Sequence, residues 1–182
     1  MLEILSYQAW VQIFGFAVFG LYATASYHKS RLNFFVQESI GAFGMGLQTL
    51  LLGSWLGLIT NTVHGLMMLA GRFHPDLKIG KKVLIAGMIS TILLSALVWE
   101  TSVMNIVCIV ATLLNFLARS FTSDYMLRSF AMMGCGLWIL FYCLLGSWAG
   151  LLFSALALSG HLKIFMRYVV ANQNTILPQN ES

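Results

Sequence analysis

The chain has 182 residues, of which 59% are hydrophobic and only 9% charged, with a formal net charge of +4. A water-soluble domain usually carries about 25% charged residues, so this composition excludes a protein whose surface faces mostly water. The solvent for most of the chain is therefore lipid, where about 20 apolar residues make one spanning helix.

Polar breaks divide the sequence into apolar segments, in chain order Gln8–Tyr27, Asn33–Gly53, Trp55–Arg72, Val83–Trp99, Ser102–Arg119, Tyr125–Leu145 and Ser147–Phe165. The only two prolines, Pro75 and Pro178, lie outside all of them. Unpaired backbone groups are intolerable in hydrocarbon, so continuous helices are expected. Glu3 precedes the first segment, and the first cations, Lys29 and Arg31, follow it. A cleavable signal needs a positive start before its apolar run, so the first helix is expected to stay. The second and third segments are almost contiguous, as are the sixth and seventh. In each case the Gly-Ser of LLGSW supplies the reversal, because glycine tolerates turn geometry that other residues resist. The Trp55 or Trp148 that follows suits the bilayer interface, where an indole keeps one edge wet.

LLGSW occurs twice, at Leu51 and at Leu144. Sliding the sequence by 93 residues aligns Val11–Arg72 with Met104–Phe165 without a gap. Ile13 falls on Ile106, Leu21 on Leu114, Ala25 on Ala118, Ser30 on Ser123 and Gly41 on Gly134. A rare tryptophan in register with helix breaks on both sides points to an internal duplication. The fourth segment has no counterpart. Three helices carry the chain across the membrane, so one further crossing lets a second copy face the same way as the first.

The expected fold is thus all-α and integral to the membrane, with seven transmembrane helices in one membrane domain over 1–182. Two parallel three-helix repeats, 8–72 and 102–167, are joined by a linker helix over 83–99. With the N-terminus outside and the C-terminus inside, Lys29, Arg31, Arg72, Lys78, Lys81, Lys82, Arg119, Arg128, Lys163 and Arg167 fall in or beside the inner segments. Glu3 and Glu100 lie on the other side, the asymmetry expected of the positive-inside rule.

Polar side chains within the membrane are costly and mark pathways or packing contacts. Asn61 follows Gly57 by four residues and precedes His64 by three, so all three share one helix face. The offset of 93 places Gly150, Ser154 and Ala157 at the matching positions. One reading is a pocket between the repeats, with Asn61 and Ser154 offering hydrogen bonds to a small polar solute. The other is close packing by small residues and amide bonds between helices. Gln12 and Asn105 make a second matched pair. Glu38, the sole acid within an apolar segment, could accept a coupling proton, or could reach the headgroups or pair with Lys29 or Arg31. His64 could titrate near neutral pH or remain neutral and hydrogen-bonded inside the bundle.

Cys108, Cys135 and Cys143 all lie in apolar stretches without metal-ligand spacing and read as packing residues. No cofactor is expected. HExxH, GxSxG and phosphate-loop patterns are missing, so the chain is not expected to be an enzyme. Its scattered cations without interleaved aromatics suit anionic lipid and not nucleic acid. The stretch HPDLKIGKK, from His74 to Lys82, reads as a solvated loop.

The opening VQIFGFAVFGLYATAS, the basic break YHKSRLNFF, and LLGSWLGLITN with its second copy resemble the YgjV-type bacterial inner-membrane proteins, from about Gln8 to Arg167. That family is similar in architecture to the SWEET and PQ-loop transporters, which also set triple-helix bundles in parallel about a linker helix. The resemblance implies an inner-membrane location and a route between the bundles, lined by asparagines on the third helix of each. Asn61 matches such a position, while the second copy has Ser154. PQ-loop transporters also carry a hinge proline in the first helix of each repeat, and neither copy has one here. Two functions follow as expectations. One is a carrier of a small polar solute, with its site around Asn61, His64, Ser154, Gln12 and Asn105. The other is a non-transporting assembly factor or subunit of a membrane complex.

Overall fold

The computed structural model describes residues 2–25, 31–73, 80–98, 102–121 and 123–176. Lys29, most of the HPDLKIGKK stretch, Trp99 and Glu100 lie outside these, so the expectations placed there rest on the sequence alone. Among the described residues the fold is all-helical, without strands. Its seven helices are α1 (Leu2–Ala25), α2 (Arg31–Leu51), α3 (Trp55–Arg72), α4 (Lys81–Leu97), α5 (Val103–Ser120), α6 (Asp124–Leu145) and α7 (Trp148–Ile176). The segments found in the sequence are all present, but α1 starts ahead of Gln8 and α7 continues past Phe165. Neither extension contains a glycine or proline to end a helix.

Among the described residues, three stretches are long and apolar enough on their own to cross a membrane: Val103–Ser120, Tyr125–Leu145 and Trp148–Arg167. Polar residues that point into the protein lower the apolar character of α3, where Thr60 and Asn61 are buried. The helix α4 is short, at 17 residues. The exterior is greasy along its length, with Ile13, Phe16, Ile40, Leu47, Leu66, Leu93, Leu140 and Leu156 all exposed. Buried threonines satisfy their hydroxyls on their own helix. Thr60 Oγ1 donates to Leu56 O at 3.0 Å, Thr91 to Gly87 O at 2.9 Å and Thr112 to Cys108 O at 2.8 Å. Such back-bonding lets a polar residue sit inside without a partner from another helix.

Both LLGSW turns are built alike. Gly53 has φ +91° and Gly146 φ +74°, the left-handed conformation in which glycine closes a helix. Across the first turn, Ser54 N donates to Thr49 O at 2.8 Å, and across the second Ser147 N donates to Tyr142 O at 2.9 Å. Each serine then caps the next helix. Ser54 Oγ accepts from Gly57 N at 3.0 Å and Ser147 Oγ from Gly150 N at 3.2 Å. Trp55 and Trp148 stand exposed just beyond.

Consecutive helices pack against one another, and two further pairings, α1 with α7 and α3 with α5, close a ring. The ring runs α1, α2, α3, α5, α6, α7 and back to α1. The helix α4 lies outside it, bridging α3 and α5. Only one stripe of α4 is buried, Leu84, Gly87, Thr91 and Ser95, at the three- and four-residue spacing of a single helix face. Inside the ring Val18, Met45, Leu56, Cys108, Phe141 and Tyr142 form one core, contributed by α1, α2, α3, α5 and α6. Phe141 and Cys108 are fully buried, so side chains fill this part of the seam. A smaller cluster of Val63, Met67, Leu84 and Phe116 ties α4 to α3 and α5.

Candidate functional site

Glu38 lies on the buried face of α2 that also carries Phe35, Ala42 and Met45. Successive steps of three and four residues bring these onto one side of the helix. Its carboxylate faces into the protein. The residue is only 5% exposed, and side chains from three other helices converge on one of its oxygens. Arg119 of α5 donates from Nη2 to Oε1 at 2.9 Å, and Tyr22 of α1 donates from its hydroxyl at 3.1 Å. His64 Nε2 of α3 stands 3.4 Å from the same oxygen and 3.4 Å from the Tyr22 hydroxyl. An ionised carboxylate only accepts, so the arrangement is consistent when His64 carries its proton on Nε2. The second oxygen, Oε2, is buried without a partner.

Each partner is held in place by its own packing. The His64 ring lies parallel to that of Phe116, with an interplanar angle of 2° and centroids 6.2 Å apart. Tyr22 meets the Phe153 ring edge-on at 4.2 Å. Arg119 spends its other terminal nitrogen on Met68 Sδ at 3.3 Å. A buried ion pair contributes little net stability, because desolvating both charges offsets their attraction. Losing one partner is a different matter, since it strands the other charge. The site therefore couples α5 to the first three helices more than it strengthens any one of them.

The opposite end of the ring is closed by amides. Gln12 of α1 straddles the second LLGSW turn, donating to Gly146 O at 2.7 Å and accepting from Trp148 N at 3.1 Å. Beside it Gln48 of α2 is fully buried and accepts from Ser147 Oγ at 3.1 Å. Gly15 makes room for that glutamine, since a Cβ there would collide with its amide. Tyr7 donates to Leu51 O at 3.1 Å, fixing the end of α2.

Of the residues singled out from the sequence, the structure brings Glu38 and His64 together and places the others elsewhere. Asn61 donates to Gly57 O of its own helix at 2.8 Å. Ser154 is buried on α7, next in sequence to the Phe153 that meets Tyr22. Asn105 is buried on the first turn of α5, its backbone N–H held by Ser102 Oγ at 3.2 Å. Gln12 belongs to the turn. The glycines that share a face with Asn61 and Ser154 abut neighbouring helices, Gly57 against Thr49 and Gly150 against Tyr142. Sequence reasoning missed Arg119 and Tyr22 as partners of Glu38. One signal was available: an acid alone in an apolar segment needs a cation, and Arg119 lies in the last turn of another apolar helix.

No curated protein and no solved structure matches the chain. A family model described as bacterial inner membrane protein, Imp-YgjV, matches residues 9–171, nearly the whole of the helical region built above. A lipid-facing exterior, helices of spanning length and this match agree, and the chain belongs to the Imp-YgjV family of bacterial inner membrane proteins.

Proposed function

We propose that the protein is a carrier for a small polar solute, acting by rocking two parallel triple-helix bundles, α1–α3 and α5–α7, against each other. On this reading all seven helices span the membrane, the N-terminus is outside and the C-terminus inside. The protein moves its solute without transforming it. The offset that relates the two LLGSW turns also carries the α1–α7 pairing onto α5–α3, as a twofold axis along the membrane normal requires. The observation that carries the functional reading is the Glu38 carboxylate, held jointly by Tyr22 and His64 of one bundle and Arg119 of the other. Ionisable groups inside a membrane mark ion and solute pathways. Here the group is the inner closure of the seam, while Gln12 and Gln48 close its outer end. A proton taken up by Glu38 removes the charge that holds Arg119 and frees the bundles to part on the inner side.

The filled seam around Met45, Phe141 and Tyr142 favours a second reading, a non-transporting assembly factor or complex subunit. Proteoliposomes carrying a trapped pH dye separate the two. The carrier reading expects one class of small polar solute to drive a pH change with wild-type protein and none with Glu38→Gln. If every solute class fails with well-folded wild-type protein, and other proteins copurify with it, the second reading stands.

A further inference from the structure

The buried hydroxyls of Thr60, Thr91 and Thr112 turn back to carbonyls of their own helices, as a hydroxyl in an apolar helix commonly does. That of Ser95 on α4 does not. The residue is 1% exposed, and its Oγ is buried without a hydrogen-bond partner. An unmade hydrogen bond is costly among apolar groups.

Ser95 also forms one wall of a groove. The groove runs between α4 and α5, has a volume of about 420 Å³, and is lined by Ile92, Ser95, Ala96, Ile106, Ile109 and Val110. Ile92, Ile106 and Val110 are exposed, so it opens on the greasy exterior. The packing of α4 explains the gap. Leu84 joins Phe116 in one cluster, and Val98 packs with Met104 and Val107 against the other. Between these two anchors the small Ala96 leaves the space unfilled. Ser95 lies two residues before the end of α4, about 3 Å along the axis, near the level where hydrocarbon gives way to the polar part of a bilayer.

We propose that this groove holds one acyl chain of a glycerolipid, with the ester carbonyl of that chain accepting a hydrogen bond from Ser95. A hydroxyl can donate one such bond, and the ester is the acceptor that a lipid carries at the head of its apolar tail. A helix of a second copy fits less well. It needs a width of about 10 Å, and its carbonyls are already spent within the helix. The site lies on the outer flank of α4 and α5 and does not depend on the carrier reading.

The test is native mass spectrometry of the purified full chain, titrated separately with dioleoylphosphatidylglycerol and with its diether analogue, which lacks both carbonyls. The wild type should bind the diester about three- to tenfold more tightly, the worth of one hydrogen bond. Ser95→Ala should bind the two lipids alike, at the weaker affinity. Ala96→Phe, whose ring fills the groove, should bind both at least about tenfold more weakly. Leu93→Phe, at an exposed position of α4 outside the groove, should match the wild type. Equal binding of the two lipids by the wild type, a preference that persists in Ser95→Ala, or undiminished binding by Ala96→Phe overturns the proposal. A two-chain mass that disappears in Ala96→Phe assigns the groove to a second copy and overturns it too. If Ala96→Phe cannot be purified, the comparison of wild type with Ser95→Ala decides alone.

Discussion

A carboxylate survives inside a membrane when another charge meets it, and Glu38 is met by Arg119 across a gap of 2.9 Å. Removing one partner of a buried ion pair costs about 3–5 kcal/mol, because the other charge is left stranded. Arg119→Leu should therefore lower stability in detergent by about that amount, and Glu38→Gln should lower it too. The double variant should recover most of the loss, since neither charge then remains. Chemical unfolding in mixed micelles measures all three, and losses that simply add in the double variant would mean that the pair is not coupled. That Glu38 was exceptional is legible in the sequence, because no other acid falls inside an apolar segment. Its partner was not legible. Nearby Lys29 and Arg31 compete with Arg119 on paper, and only the closure of α5 onto α3 selects across the ring. Asn61 shows the same limit. Periodicity gives the face it occupies, but not that its amide turns back to Gly57 O of its own helix.

Among the elements, the two Gly-Ser turns were read almost completely from the sequence. Glycine at the left-handed position and serine at the cap are local choices, governed by residues within one helical turn, so the motif carries its own geometry. Replacing Gly53 or Gly146 by alanine should cost about 1–2 kcal/mol each, the penalty of placing a Cβ in that conformation. Ser54→Ala should cost about 1 kcal/mol through loss of its cap. Ser147→Ala should cost more than Ser54→Ala, because Ser147 also donates to the buried Gln48. Thermal unfolding of the four variants checks the order, and equal losses at the two serines would argue against the Gln48 bond. Helix ends were less legible. Both α1 and α7 run beyond their apolar segments, because hydropathy marks where lipid ends and not where backbone hydrogen bonding stops.

At the scale of the whole molecule, the proposed duplication would dictate which helices touch. An offset that maps α1 onto α5 and α3 onto α7 turns one cross-bundle pairing into the other, and both are present. The same logic requires α4 to cross the membrane, so reporter fusions after Phe73 and after Trp99 should lie in opposite compartments. Finding them in one compartment would remove the parallel arrangement. What the sequence could not reveal is how the seam is filled, since Met45, Phe141 and Tyr142 look like any other apolar residues until the helices are set side by side. The claim on which the function rests is that the bundles separate at their inner ends when Glu38 loses its charge. Spin labels at the exposed Asn33 and Met126, equivalent positions at the starts of α2 and α6, report this directly as an electron–electron distance in lipid nanodiscs. The account predicts one narrow distance for the wild type at neutral pH, and a longer, broader distribution for Glu38→Gln. An identical narrow distance in both proteins would contradict it.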